Sequence, residues 1–414
     1  MATLVFGEQV TVLASIGFVG REFTLGTSTL DGEDVLDGTL DGIDVSPYVQ
    51  SVSINRGRSD QFSAFRSGAC TIVLNNNDRR FDPINESSPY WNTTTGKSGV
   101  TPRRKIEIRA QNTPLFTGRI TDIDIQYDFD LSTCTIYAAD DFTLLANSYT
   151  DTDITPASEL SGARVERILD LAEVNFPIGT RNIDTGVAIL GAYEIPANTN
   201  AAAYLQRCAE AEQGLFYCAA DGTLVFTDRV SSAFAAPVAS FSDSGAGIRY
   251  QTLSTIYGQE FLFNRVQAVV EGGIVQTADD TASQTDYGIS TLTLNDLLLS
   301  TDAAALTLAD ELLRLYKQPT YRFDDIQVLI NSVTTTQRDT IIGLDMGDLV
   351  SVTRTFSTGT PSTVSDDYAI ERIVHQITPD RHTVTLGLYA ADIVFPFELD
   401  DAEFGMLSTT NALT

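Results

Sequence analysis

Histidine is nearly missing from this chain of 414 residues: there are two, His375 and His382. A zinc site needs more ligands than two imidazoles, and no H-E-x-x-H run supplies them. A Ser/His/Asp hydrolase needs its nucleophile on a strained, exposed turn, and no G-x-S-x-G occurs. The phosphate-binding loop is absent too. Gly96-Lys97-Ser98 shares only its ending, and Trp91 stands where the first glycine is required. The four cysteines (Cys70, Cys134, Cys208, Cys218) have no CxxC spacing and read as buried free thiols. No run of about 18 apolar residues exists, so no transmembrane helix is expected. Met1–Gly20 lacks a basic opening and Glu8 interrupts its apolar run, so no secretory leader is expected and a cytosol-like compartment is.

Positive charge is scarce. Lys and Arg number 26 against 55 Asp and Glu, a formal net charge of −29. That disfavours DNA and anionic membranes as binding partners, since both carry phosphate. Carboxylates this numerous cannot nominate a glycosidase pair. Nothing supports catalysis, and the chain reads as non-enzymatic, with no cofactor and no metal. Calcium is tempting at residues 28–44, where Leu-Asp-Gly occurs at Leu30–Gly32, Leu36–Gly38 and Leu40–Gly42. Counted from Asp31, however, Val35 and Gly42 occupy ligand positions of the calcium loop, so consecutive turns in an exposed arm are expected instead.

The cations that exist are clustered. Between Arg56 and Arg119 there are 11 Lys and Arg against 5 Asp and Glu, a net of +6, which leaves −35 for the rest. A basic segment in an acidic chain suggests docking against an acidic neighbour or a second copy of itself.

That segment contains the stretch around which the chain is organised, residues 70–120. Thr71–Leu74 is β-branched and apolar, and Asn75–Asn77 ends it. Lys105–Arg109 alternates, with Ile106 and Ile108 on one side and charges on the other. Leu115–Ile120 is the next strand, and Gly118 within it marks a bulge or a close backbone approach. Between the first two strands lies a long loop. Asp78–Tyr90 is expected to be ordered, through charge-assisted hydrogen bonds from Arg79 and Arg80 and burial of Phe81 and Tyr90.

NNNDRRFDP, SSPY, the basic opening Pro102-Arg103-Arg104-Lys105 and LFTGRI carry a resemblance. With Val45–Val49 and Val52–Arg58 upstream, residues 44–125 resemble the N-terminal domain of tail hub (minor tail) proteins of long-tailed bacteriophages. The later helix, Asp-Gly hairpin and Gly347-Asp348 before a strand resemble the middle and C-terminal hub domains.

The fold expected is mainly β with α+β parts: two small β-barrel domains joined by mixed α/β domains. Its boundaries are an N-terminal arm (1–44), a first β-barrel (45–150), a helix-and-hairpin domain (151–235), a mixed connecting domain (236–319), a second β-barrel (320–395) and a C-terminal arm (396–414). Strands are expected at Val49–Asn55, Thr71–Leu74, Lys105–Arg109, Leu115–Tyr127, Leu131–Ala138, Arg265–Glu271, Tyr321–Ile330, Asp348–Thr353, Tyr368–Ile377 and His382–Tyr389. Helices are expected from Ser161, as its cap, to about Asn175, from Asn200 to Gln213, and over Asp302–Tyr316. Ala278–Ser290 is polar and reads as loop.

The resemblance implies a structural virion protein, assembled in the host cytoplasm: a homotrimeric hub at the tail tip or baseplate. Its implied partners are the distal tail ring, the tape measure protein and tip or fibre proteins, with DNA passing through unbound. A distal tail ring or receptor-binding protein is the alternative. A tail-associated cell-wall hydrolase is disfavoured, because Thr414 leaves no room for that domain after the second barrel. The assembly interface expected comprises Arg79, Arg80, Phe81, Asp82 and Tyr90 with Arg103, Arg104 and Lys105.

Overall fold

The computed structural model describes residues 12–18, 21–22, 34–35, 42–58, 63–229, 236–245 and 247–390. The C-terminal arm and most of the Leu-Asp-Gly segment lie outside the described residues.

Alternation sets the strands. In Arg66–Asn75 the residues Gly68, Cys70, Ile72 and Leu74 point inward, and in Lys105–Ala110 it is Ile106, Ile108 and Ala110. A period of two places each apolar set on one face, which then buries itself against a neighbouring layer. Some of the described strands form small sheets of two or three, and the other thirteen join into one sheet. Its path runs from Thr252–Ile256 through Arg322–Leu329, Arg381–Ala390 and Thr363–Thr378 to Val49–Gly57. It continues through Arg66–Asn75, Thr133–Ala139, Thr113–Gln126, Lys105–Ala110 and Val12–Ile16 to Ile43–Asp44. Leu349–Thr355 and Ala239–Ser242 branch from Thr363–Thr378. The chain is mainly β with α+β parts, as expected, but this pairing stays open and closes no barrel among the described residues.

Two β lobes meet in that sheet. Residues 372–377 of the long strand Thr363–Thr378 pair antiparallel with residues 52–57. Gly57 makes the seam possible: its φ is +109°, and a Cβ there would lie 2.0 Å from Glu371 O. Only glycine tolerates both conditions. Each lobe has its own core, the first around Ile54, Ile72, Ile106 and Phe116, the second around Phe323, Val350, Ile370 and Leu386. Ile342 and Ile377 reach from the second lobe into the first core.

A third core belongs to the mixed region. Helices Ser161–Leu169, Ala201–Glu212 and Asp302–Tyr316 bury Val165, Leu205, Cys208, Leu308 and Leu312 together. Where the three lobes meet, the contacts turn polar. Buried Arg56 bonds Asp345 at 2.8 Å, Ala220 N–H donates to the same carboxylate, and Tyr217 Oη donates to Met346 O.

Three local expectations need correction. Ser161 does not cap its helix: Leu160 holds the cap position, and Ser161 Oγ donates instead to buried Glu212 at 2.6 Å. That helix stops at Leu169, well before Asn175, because Arg181 donates to Leu169 O and pairs with Glu166 and Asp170, occupying acceptors at the helix end. Ala278–Ser290 is not a loop. It ends strand Gln276–Asp279 and forms helix Thr281–Tyr287, capped by Asp280 accepting from Ser283 N–H. Only Ser283 of that helix is buried, so no apolar stripe advertised it.

Candidate assembly surface

The loop between strands Arg66–Asn75 and Lys105–Ala110 is built from repeated turns. Backbone N–H groups of Arg79, Asp82, Asn85, Ser88 and Trp91 each donate to the carbonyl three residues earlier, starting at Asn76. Between these bonds, side chains of Asn75, Asp78, Asp82, Asn85 and Ser88 accept from the backbone N–H two residues on. Asn, Asp and Ser favour these short local bonds, which is why a 15-residue stretch without helix or ladder holds one shape.

Aromatic burial anchors it. Phe81 is fully buried and stacks with Tyr90 at 5.8 Å, with Phe18 5.3 Å from Tyr90 and Tyr48 edge-on to Phe81 at 5.5 Å. The Arg80 guanidinium lies 4.1 Å over the Tyr48 ring and pairs with Asp78 at 2.7 Å. Arg79 pairs with buried Asp82 at 2.7 Å, and Tyr127 Oη donates to the same carboxylate at 2.6 Å. Burial alone would raise the Asp82 carboxyl, but the bonds from Tyr127, Arg79 and Ile84 N–H outweigh it and hold it below the usual range.

Phe81, Asp82 and Tyr90 therefore act inside the chain, shaping the loop, while Arg79 remains exposed. The other three residues singled out sit elsewhere. Arg103 and Lys105 are exposed, Arg104 is half-buried against Thr101, and the backbone N–H of Arg103 donates to Ile120 O. Arg103 holds a left-handed φ of +67°. From Ile120, strand Thr113–Gln126 runs on towards Tyr127 and the loop, about 20 Å at ~3.3 Å per residue. The structure thus splits the expected interface into a loop at one end of the strand and a basic corner towards its middle.

Sequence reasoning missed a third feature. The turn after Thr113–Gln126 carries Tyr127, Phe129 and Leu131, all exposed, and Ile84 of the loop that Tyr127 bonds to is exposed as well. Its signal was the alternation Tyr-Asp-Phe-Asp-Leu across a turn.

Other sites offer less. A cleft of about 400 Å³ lies among Arg58, Phe65, Gln206, Arg207, Glu371 and Tyr389. Arg58 bonds Glu371 and Arg207 bonds Glu271, so these two cations serve the fold. Among the described residues no group of His, Cys, Asp and Glu could hold a metal, and no helix is long and apolar enough to cross a membrane.

No protein-family model and no curated protein matches the chain. Solved structures do. A tail protein from Neisseria meningitidis MC58 superposes with a TM-score of 0.59 at 12% identity, covering 92% of this chain and 96% of that one. The 43 kDa tail protein of prophage MuSo2 from Shewanella oneidensis gives 0.56 at 13% identity, covering 92% and 99%. Identity this low speaks for the fold and not for individual residues. Over nearly its whole length, this chain has the fold of phage tail proteins, the group to which the resemblance of residues 44–125 pointed.

Proposed function

We propose that the chain is a non-enzymatic structural component of a bacteriophage tail tip or baseplate: a homotrimeric hub whose ring encloses the path of tape measure protein and DNA. The observation that carries this is the near end-to-end likeness to two tail proteins, each aligned over 92% of this chain. In this reading residues 45–150 and 320–395 are the two β domains, and three copies present six such domains to a sixfold tail tube. The distal tail ring, the tape measure protein and tip or fibre proteins are its neighbours, and the virion tail is its location.

Charge gives the ring a division of labour. A trimer would carry −87. Carboxylates facing the lumen repel DNA phosphates, so the path stays slippery, whereas a basic lumen would trap them by counterion release. The basic segment Arg56–Arg119 then faces protein, with Arg79, Arg80, Arg103, Arg104 and Lys105 at the contacts. Phe81, Asp82 and Tyr90 hold the loop that presents the first two.

Light scattering and negative-stain imaging of the purified chain test the reading. The expected result is a threefold ring with a central opening. A sixfold ring would favour a distal tail protein, and clearing of cell-wall zymograms would favour a hydrolase.

A further inference from the structure

The end of the first lobe formed by the hairpin turn and the long loop is apolar where a solvated tip should be polar. Phe129 is 101% exposed and Ile84 75%, with Tyr127 and Leu131 beside Phe129 in sequence. Apolar residues scattered singly on a surface need no explanation, but a cluster at one tip marks a contact. The arm behind the tip is acidic: Asp122 and Asp124 are exposed on the strand, Asp128 and Asp130 flank Phe129, and no cation occurs between Arg119 and Arg164. The arm also leaves an edge open. Lys105–Ala110 covers Thr113–Gln126 only as far as Arg119, so among the described residues Thr121–Gln126 has a strand partner on one side alone.

The matching surface is the basic corner. In the same lobe Arg56, Arg58, Arg79, Arg80, Arg109 and Arg119 each pair with a carboxylate of their own chain. Arg103, Arg104 and Lys105 pair with no carboxylate among the described residues. Tip and corner are held apart by the stretch of strand from Ile120 to Tyr127, so they cannot satisfy each other within one chain.

We propose that the Tyr127–Leu131 tip of one copy seats on the Arg103–Lys105 corner of the next. Phe129 supplies buried apolar area, and Asp128 and Asp130 meet the guanidinium groups. Because the two surfaces differ, the contact is head-to-tail, the kind that generates a ring when its rotation closes. The inference rests on the hub reading for that closure.

Charge reversal tests it. Asp128→Arg/Asp130→Arg and Arg103→Glu/Arg104→Glu are each expected to weaken self-association at least tenfold in light scattering at low salt, and the variant carrying all four changes to recover it. Phe129→Ser should weaken association with an unchanged melting temperature, which separates lost contact from lost fold. Tip reversal that leaves a trimer intact, or a fourfold variant no better than either pair, overturns the contact alone. A wild type that stays monomeric overturns the ring reading as well. Cysteine cross-linking reads the geometry directly, since the four native cysteines are buried. A mixture of Phe129→Cys and Arg103→Cys chains should give a bismaleimide-linked dimer that neither gives alone. A linked product from Phe129→Cys alone would mean a like-to-like contact and overturn the head-to-tail one.

Discussion

At the scale of single residues, buried polar groups set the sharpest constraints. Of the 26 cations all but Lys97, Lys105 and Lys317 are arginine. Arg164 shows why: fully buried, it donates to Glu159, Tyr204 Oη, Ala157 O and Gly191 O at 2.6–3.0 Å. A lysine cannot reach four acceptors in one plane. Arg164→Ala is expected to cost roughly 3 to 5 kcal/mol by urea unfolding, and Arg164→Lys to restore little of it. A full rescue by lysine would show that the fan of bonds is dispensable.

Titration offers a second test at this scale. Nδ1 of His375 lies 3.0 Å from Nε2 of His382, and both rings are buried. Burial holds His382 down to about 4; burial, then His382 and Arg56, hold His375 well below its ordinary value. In the unfolded chain both take a proton near pH 6.5, so stability falls as pH drops from there, by roughly 3 kcal/mol for His382 alone. Asp140 opposes this. Burial pushes its carboxyl up to about 6 despite hydrogen bonds from Gly68, Ser67 and Phe142. Between pH 6 and about 4 the folded state keeps a proton that the unfolded state releases, so stability rises as pH drops. The two imidazoles outweigh the one carboxyl, so wild type should lose stability on acidification, and Asp140→Asn should lose it more steeply. Urea midpoints at pH 7, 5.5 and 4.5 check this; parallel slopes for the two proteins would refute the opposition.

Among elements, the loop from Asn76 to Trp91 is the one whose order was legible before its construction was. Arg79, Arg80, Phe81 and Tyr90 signalled charge pairing and aromatic burial, and both are present. The spacing of three between turn acceptors was equally visible in Asn76, Arg79, Asp82, Asn85 and Ser88, yet periods of two and 3.6 are what strand and helix patterns advertise. Which side chains are free to meet a partner was harder to see for a different reason. Phe81 and Arg103 lie in the same basic, aromatic-bearing segment, and only the fold shows that one is buried and the other exposed. Phe81→Ala removes the centre of the ring cluster, at about 3 to 5 kcal/mol. Trypsin should leave Arg79 and Arg80 uncut in wild type and cleave there quickly in the variant; equal protection would mean that the turns alone hold the loop.

At the scale of the whole molecule, the seam decides whether the two β lobes are one body. Gly57→Ala places a methyl group 2.0 Å from Glu371 O at a φ of +109°, and neither neighbour is a side chain that can swing away. The expected result is separate unfolding transitions for the lobes in place of a shared one, seen by calorimetry. A single transition at the wild-type temperature would show that the cores, through Ile342 and Ile377, hold the lobes together without the ladder.

The same strand that makes the seam also gives the molecule a mechanical grain. Thr363–Thr378 has 16 residues, about 50 Å at ~3.3 Å each, and passes from the second lobe into the first through one register shift between Ile370 and Arg372. A pull along its length loads the ladder to Val52–Gly57 in shear, so its bonds share the force and yield together. A pull across it peels them one at a time. A molecule so built is stiff along one axis and compliant about another, and the direction from which tension arrives decides which lobe moves first.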